Sequence, residues 1–204
     1  MLVGAFAVPV LAQAPAPAPP PAIAPHEDLV PVAIDTSLGR IVVALDRGRA
    51  PITTANFLRY VDAHRLDREA FYRAMPMPGP KGGAGGLIQG GVRSDTRKLY
   101  PPTADEPTSR TGLRNVAGAI VMARNAPNSG QADFFILASD TPGFDAGADP
   151  DDPNGFPVFG HVVEGMDVVR KILDAPTSPT KGEGYMKGQM LDPTVKIVKA
   201  ARVN

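Results

Sequence analysis

The sequence predicts a mainly β domain of about eight strands and two helices, folded as a closed antiparallel barrel or as a sandwich. Short apolar segments with period-two spacing recur between Leu29 and Val203, as expected of half-buried strands. The two segments with helical spacing lie far apart in the sequence, which argues against repeated βαβ units. Long polar or glycine-rich stretches separate the strands, and loops of such length are commonly functional or disordered.

The first half of the domain opens with two strands and a helix. Residues 29–46 (LVPVAIDTSLGRIVVALD) predict two strands on either side of a Ser-Leu-Gly turn. Residues 50–65 (APITTANFLRYVDAHR) predict a helix, because the proline suits a first turn and apolar residues follow at helical intervals. Residues 71–73 and 87–92 then predict strands that flank a glycine-rich loop.

The second half predicts further strands, two long loops and a short helix. Residues 95–115 are polar and contain three prolines, which predicts a long loop. Residues 140–156 form a second, acidic loop. The helix is predicted at residues 166–173, where Met166, Val169 and Leu173 share one side. The strands predicted in this half are residues 118–124, 133–139, 157–165 and 192–203.

The N-terminal residues predict export. Residues 1–14 (MLVGAFAVPVLAQA) form an apolar run that is short for a membrane span and ends in Ala-Gln-Ala, a pattern that signal peptidases cleave. No basic residue precedes the run, so an uncleaved apolar tail is the alternative. Residues 15–28 are rich in proline and alanine, which predicts an extended linker. We therefore expect a signal peptide at 1–14, a linker at 15–28 and a folded domain at 29–204, in a periplasmic or secreted protein.

The composition excludes several kinds of partner and site. The chain has 204 residues with 21 basic and 21 acidic side chains, so it has no net charge to attract nucleic acid or an anionic membrane. It has no cysteine, which rules out disulfides and thiolate metal sites. The length suits one domain with a sizeable core.

The stretch 71–92 (FYRAMPMPGPKGGAGGLIQGGV) places one arginine on an apolar strand, ahead of a loop rich in glycine. A glycine-rich loop that binds phosphate opens a helix, whose unpaired amides face the anion. Here residues 87–92 follow, with β character and two glycines that disfavour a helix. Lys81 stands at the start of the loop and no Ser or Thr follows it. The sequence therefore does not predict a nucleotide site.

Conventional hydrolytic or metal chemistry has no support in the sequence. The three histidines are scattered and pair with no nucleophile, and no serine stands in a nucleophile elbow. The acidic run between Asp145 and Asn154 lacks the alternating register and the closing Glu of a calcium loop, so we expect a solvated loop. Arg73 remains as a candidate. It could form an ion pair at a barrel rim, or it could donate hydrogen bonds to a substrate amide.

Five short blocks, in order, resemble the cyclophilin-type peptidyl-prolyl isomerases. They are FYR, GLIQGG, GAIVMAR, ADFFI and FPVFGHVVEGMDVVRKI, and the resemblance runs from about Val32 to Val203. It implies an eight-stranded antiparallel barrel capped by two α-helices, with no metal and no cofactor. It also implies activity on proline-containing polypeptides, and we expect a monomer with no nucleic-acid or membrane partner.

The chemistry that the resemblance implies is rotation about an X–Pro bond. The barrier to this rotation is ~20 kcal/mol because the amide is conjugated. An arginine that donates a hydrogen bond to the prolyl nitrogen as it pyramidalises favours the twisted state over either planar state. An apolar pocket holds the proline ring while the rest of the peptide turns.

The resemblance also implies the residues of the site. Arg73 matches the catalytic arginine, and Phe135 matches the floor of the proline pocket. Met122 and Ala123 match a pair that presents its backbone to the substrate. The substrate-binding residues implied in this way are Leu87, Gln89, Met122, Ala123, Asp133, Phe135 and Phe144.

The chain departs from the family pattern at four pocket positions. Gly86 and Gly143 stand where the family has aromatic residues. Asp133 replaces a glutamine, and Phe156 replaces a histidine after the acidic insertion. Phe144 or Phe156 could refill the pocket from a different backbone position.

These departures leave two functions open. Asp133 could pair with Arg73 and weaken its hydrogen bond to the substrate, or it could pair with Arg124 and orient the site. The first function is an exported peptidyl-prolyl isomerase whose activity is low but real. The second is a non-catalytic barrel that binds proline-containing peptides or a protein partner.

Overall fold

The computed structural model describes residues 27–78, 84–92 and 95–203. Nine strands lie in these ranges, and every pairing between them is antiparallel. The strands are β1 (Leu29–Thr36), β2 (Gly39–Asp46), β3 (Ala70–Pro78), β4 (Ala84–Gly91), β5 (Ala119–Met122), β6 (Phe134–Leu137), β7 (Val158–Glu164), β8 (Thr177–Ser178) and β9 (Met190–Arg202).

Eight of these strands form a closed barrel. Their order is β1-β2-β7-β5-β6-β4-β3-β9, and β9 pairs with β1 to close the sheet. The two-residue strand β8 pairs only along the outer edge of β9 within the described residues. The predicted eight-stranded antiparallel barrel is therefore confirmed, and the sandwich is excluded.

Three helices accompany the barrel in the described part of the chain. They are α1 (Pro51–Asp62), α2 (Thr108–Thr111) and α3 (Met166–Leu173). The first and the third confirm the helices predicted from apolar spacing. The second is a single turn within the stretch predicted as a long loop, so the predicted number of two was one too low. No helix among the described residues has the length and apolarity needed to cross a membrane.

The loop before α2 caps the N-terminus of α1. The N-cap residue Ala50 provides no side-chain hydrogen bond. Buried Glu106 instead accepts hydrogen bonds from the amides of Ile52 and Thr53, at 3.1 and 2.7 Å, and from the Thr53 hydroxyl at 2.8 Å. A carboxylate here satisfies unpaired amides and complements the helix dipole. This loop is therefore attached to the start of α1.

Strands β3 and β4 form a longer hairpin than the sequence predicts. Pairing continues from Arg73 opposite Gln89 to Pro78 opposite Ala84. The predicted glycine-rich loop thus belongs partly to β4, and residues 79–83 lie outside the described residues. A side chain at Gly86 would collide with the Met75 carbonyl oxygen, and its φ of +132° suits glycine. Close strand approach is therefore the reason for glycine at this position.

The barrel interior is filled by aromatic and branched side chains. The Phe134 ring lies edge-on to Phe57 and Phe71, with centroid separations of 5.2 and 5.6 Å. Phe57 comes from α1 and also contacts Phe159 at 5.3 Å, so the helix closes one end of the barrel. Edge-on packing of this kind is favourable beyond the area that it buries.

Candidate active site

A second apolar cluster lies on the outside of the barrel wall. Successive side chains of a strand point to opposite faces. Phe134 and Ile136 of β6 lie in the barrel core, so Phe135 and Leu137 point outwards. Leu87 of β4 joins them in the outer cluster. One patch of the outer wall is therefore apolar, and it forms the floor of a site.

A cavity of about 750 Å³ lies over this floor. Met122 does not line it, because its side chain packs in the barrel core. The Met122 amide is also occupied, since it donates to the Pro157 carbonyl oxygen at 2.9 Å. The predicted site residues that the structure brings together around the cavity are Arg73, Leu87, Gln89, Ala123, Asp133, Phe135 and Phe144.

Arg73 lies at the edge of the cavity and is 7% exposed. Its Nη1 donates to Gln89 Oε1 at 2.8 Å, because β3 and β4 pair in a register that places the two residues opposite each other. Its Nε donates to Gln189 Oε1 at 2.8 Å, and its Nη2 faces the Met75 sulfur at 3.0 Å. Within the described residues the guanidinium is held by neutral acceptors, so the predicted alternative of a rim ion pair is not what forms here.

Burial sets the electrostatics of Arg73. Desolvation lowers the pKa of its guanidinium, and the nearby Tyr185 and Tyr72 oppose that shift. An arginine in a protein nevertheless keeps its charge. The site therefore presents a full positive charge in a poorly solvated position, where a hydrogen bond to a ligand is stronger than in water.

Three phenylalanine rings form an aromatic pocket beside Arg73. Phe135 contacts Phe144 at 5.7 Å and Phe156 at 5.5 Å, both edge-on, and Phe144 contacts Phe156 at 4.9 Å. The Phe156 amide donates to the Phe144 carbonyl oxygen at 2.9 Å, which joins the two ends of the acidic loop. Both residues named as possible replacements for the missing aromatic side chains therefore reach the pocket.

A buried arginine fixes the loop that carries two of these rings. The Arg124 side chain is 2% exposed and pairs with Asp105 at 3.3 Å and Asp152 at 2.8 Å. It also donates to the Gly155 carbonyl oxygen and lies 5.2 Å from the centre of the Phe156 ring. Arg124 thus joins the end of β5 to both long loops.

The prediction that the acidic run is a solvated loop is only partly right. Asp149 and Asp151 are exposed, as predicted. Asp152 pairs with buried Arg124, and Asp145 accepts hydrogen bonds from the Asn115 backbone and side-chain amides at 2.9 and 3.0 Å. The prediction of a purely solvated loop is therefore wrong for these two residues, because their carboxylates satisfy buried polar groups.

Asp133 accepts a hydrogen bond from the Tyr72 hydroxyl at 2.7 Å. Neither expected pairing is found in the described part of the chain: Arg124 pairs with other carboxylates, and the three nitrogens of Arg73 face Gln89, Gln189 and Met75. The carboxylate lines the cavity without holding the catalytic candidate. The hypothesis that Asp133 restrains Arg73 is therefore not supported by the geometry.

Four residues that contact Arg73 or Asp133 were not predicted from the sequence: Tyr72, Met75, Tyr185 and Gln189. Tyr72 directly precedes Arg73, and only its position in the FYR block could have indicated it. Gln189 and Tyr185 lie in a segment without strand or helix periodicity. Tyr185 places its ring 5.4 Å from the Arg73 guanidinium carbon. Nothing in the local sequence indicates that Gln189 and Tyr185 contact Arg73, because more than one hundred residues separate them from it.

Comparisons with known proteins agree with this fold. The family model described as "Cyclophilin type peptidyl-prolyl cis-trans isomerase/CLD" matches residues 31–202. Peptidyl-prolyl cis-trans isomerase A of Dickeya dadantii is 36% identical over 150 residues, which are 72% of each chain. Peptidyl-prolyl cis-trans isomerase B of Escherichia coli is 34% identical over 150 residues, 72% of this chain and 85% of that protein. The chain therefore belongs to the cyclophilin-type peptidyl-prolyl cis-trans isomerase family.

Solved structures share the fold at low sequence identity. A cyclophilin-type isomerase of Cryptosporidium parvum superposes with a TM-score of 0.67 at 17% identity, covering 87% of this chain and 99% of that one. The same protein in the presence of the dipeptide Ala-Pro gives a TM-score of 0.66 at 18% identity, covering 85% and 99%. The likeness supports the barrel assignment independently of the sequence blocks.

Proposed function

We propose that this chain accelerates cis–trans rotation of X–Pro bonds in polypeptides. The observation that supports the proposal most directly is Arg73, a buried guanidinium held by two neutral side chains at the edge of an aromatic pocket. The proline ring packs on Phe135, Phe144 and Phe156. The remainder of the peptide lies along the open part of the cavity.

The third nitrogen of Arg73 is the one available to the substrate. Nε and Nη1 donate to amide oxygens, whereas among the described residues Nη2 faces only the thioether of Met75, a weak acceptor. As the amide twists, the lone pair of the prolyl nitrogen is no longer delocalised into the carbonyl group. The nitrogen then accepts a hydrogen bond from Nη2. This bond is stronger in the twisted state than in either planar state, so it lowers the barrier.

The neutral acceptors matter for the strength of this effect. A carboxylate in place of Gln89 or Gln189 would hold the guanidinium but also offset its charge. Amide oxygens orient it and leave the charge available to the substrate. No covalent intermediate takes part, because the reaction breaks and forms no covalent bond.

The alternative function, a non-catalytic barrel that binds proline-containing peptides, rests on the altered positions Gly86 and Gly143. Phe144 and Phe156 occupy the pocket from the acidic loop, and Arg73 is in place. These observations favour an active isomerase over a binding module.

Substitution of Arg73 separates the two functions. We expect Arg73→Ala to lower kcat/KM on an Ala-Pro peptide at least about tenfold, which corresponds to ~1.4 kcal/mol of transition-state stabilisation. Peptide binding should persist, because the aromatic pocket is unchanged. Arg170→Ala, on an exposed arginine of α3, is the matched control and should keep the wild-type rate. Equal rates for the wild type and Arg73→Ala would leave only the binding module.

We further propose that the protein is exported and acts as a monomer in the periplasm or outside the cell. The support is the apolar run ending at Ala12-Gln13-Ala14 and the Pro/Ala-rich residues after it. Mass spectrometry of the protein from its native host should find a mature chain that begins near residue 15. A cytosolic protein that retains Met1 contradicts export, and size-exclusion chromatography tests the monomer separately.

A further inference from the structure

The segment Gly182–Gln189, between β8 and β9, forms a compact arm beside Arg73. It contains one turn of 3₁₀ helix, Gly184–Met186. The Gly188 amide donates to the Lys181 carbonyl oxygen at 3.0 Å, which closes the arm at its base. Its far end reaches the cavity, where Tyr185 forms part of the wall.

Gln189 connects this arm to the catalytic strand through both its backbone and its side chain. The Gln189 carbonyl oxygen accepts a hydrogen bond from the Ala74 amide at 3.0 Å. Its side-chain Oε1 accepts from Arg73 Nε at 2.8 Å, and its Nε2 donates to the Tyr185 carbonyl oxygen at 2.9 Å. The guanidinium only donates and the carbonyl only accepts, so these partners determine the orientation of the amide.

We propose that Gln189 is a positioning residue for Arg73, a conclusion that rests on the proposed isomerase function. Gln89 and Gln189 hold the guanidinium at two different nitrogens, which fixes both its position and its plane. The plane determines where Nη2 points. Without Gln189, only Gln89 and the weak acceptor Met75 would hold the guanidinium among the described residues, so its plane could turn and Nη2 would no longer be aimed at the prolyl nitrogen.

The effect should fall on the chemical step rather than on substrate binding. The proline ring is bound by the three phenylalanine rings, whereas the hydrogen bonds of the Gln189 side chain are to Arg73 and Tyr185. A less well-oriented Nη2 weakens a hydrogen bond that strengthens only as the amide twists. The expected signature is therefore a lower kcat with an unchanged KM.

The first test is Gln189→Leu, which keeps the size of the side chain and removes the acceptor. We expect kcat on an Ala-Pro peptide to fall about fivefold, the effect of one neutral hydrogen bond, with KM within about twofold of wild type. Lys187→Ala, at an exposed position on the same arm, is the control and should leave both constants unchanged. A rise in KM with an unchanged kcat would overturn the proposal, because it would place Gln189 in substrate binding.

The second test does not require activity. In the ¹⁵N NMR spectrum of the wild type, the Arg73 Nε–H should exchange slowly with solvent, and Gln189→Leu should speed this exchange at least about tenfold. Unchanged exchange contradicts the positioning role. If exchange changes as expected but both proteins are inactive, the proposed function fails and the contact to Arg73 stands.

A double substitution tests whether Gln189 acts through Arg73. Gln189→Leu should cost little or nothing further in an Arg73→Lys background, because lysine has no Nε–H for Gln189 to hold. Equal fold-losses in the two backgrounds would show that Gln189 acts independently of Arg73. The thermal midpoints of all variants identify any loss that comes from unfolding.

Discussion

At the scale of single residues, the partner of Asp133 in the structure differs from the partners expected from the sequence. Asp133 stands where the family pattern has a neutral glutamine, so a carboxylate there suggests a salt bridge that weakens the arginine. In the folded chain its carboxylate accepts a hydrogen bond from the Tyr72 hydroxyl. Arg73 is held by Gln89 and Gln189. Aspartate at this position therefore forms no ion pair with Arg73 in the described structure.

The consequence for activity can be measured with Asp133→Gln. The side-chain carbonyl oxygen of glutamine can still accept a hydrogen bond from the Tyr72 hydroxyl. The substitution breaks no ion pair with Arg73, because the described residues show none. We expect kcat/KM on an Ala-Pro peptide to change by less than about threefold, which is under ~0.7 kcal/mol. A gain of tenfold or more would show that the carboxylate restrains Arg73 after all.

At the scale of elements, the acidic loop before β7 holds two of the four departures from the family pattern, Gly143 and Phe156. It carries Phe144 and Phe156, and its path depends on Arg124, whose partners Asp105 and Asp152 lie in different loops. Buried charges are costly unless they are paired and hydrogen-bonded. The pocket is therefore held by a polar network beneath it as well as by ring contacts.

Asp152→Asn tests this network while preserving shape. Arg124 would lose one of its two carboxylates, so we expect the free energy of unfolding to fall by ~1–3 kcal/mol. For a domain of this size, that lowers Tm by about 2–12 °C. KM should rise as the rings of the pocket loosen. Asp151→Asn, on the exposed neighbour, is the matched control, and equal behaviour of the two variants would contradict the role of the network.

At the scale of the whole molecule, β9 holds the barrel together. It pairs with β1 to close the sheet, and with β3, where Met190 lies opposite Arg73. It also pairs with β8 at the base of the Gly182–Gln189 arm. Its side chains alternate between the core and solvent: Ile197 is buried, whereas Val198 is 58% exposed. Closure of the barrel and placement of the strand that carries Arg73 thus depend on the same element.

This alternation gives a paired prediction. Ile197→Ala should lower the free energy of unfolding by ~2–4 kcal/mol, because it removes buried methyl groups and leaves a cavity. Val198→Ala should change it by less than ~0.5 kcal/mol, as expected of an exposed position. Chemical denaturation of the two variants measures both values. Similar losses at the two positions would contradict the assigned faces of β9.

Local pattern was sufficient to predict much of this protein. Alternation along residues 29–46 and apolar spacing along residues 50–65 predicted the first hairpin and α1, because each depends on residues close in sequence. The long hairpin of β3 and β4 was underpredicted, since glycines and prolines weaken any strand pattern. Arg73 could be singled out because one charge on an apolar strand is unusual.

Apolar patterns that repeat over a few residues were enough to predict the strands of the barrel and its two longer helices, and one charge on an apolar strand was enough to single out Arg73. The surroundings of that arginine follow from the way the chain folds in three dimensions. Gln189 is 116 positions from Arg73, and the two meet because β3 and β9 are neighbours in the closed sheet. Phe144 and Phe156 reach the pocket through a loop whose path depends on Arg124. Such contacts depend on which strands become neighbours and how loops pack, and no local periodicity encodes either.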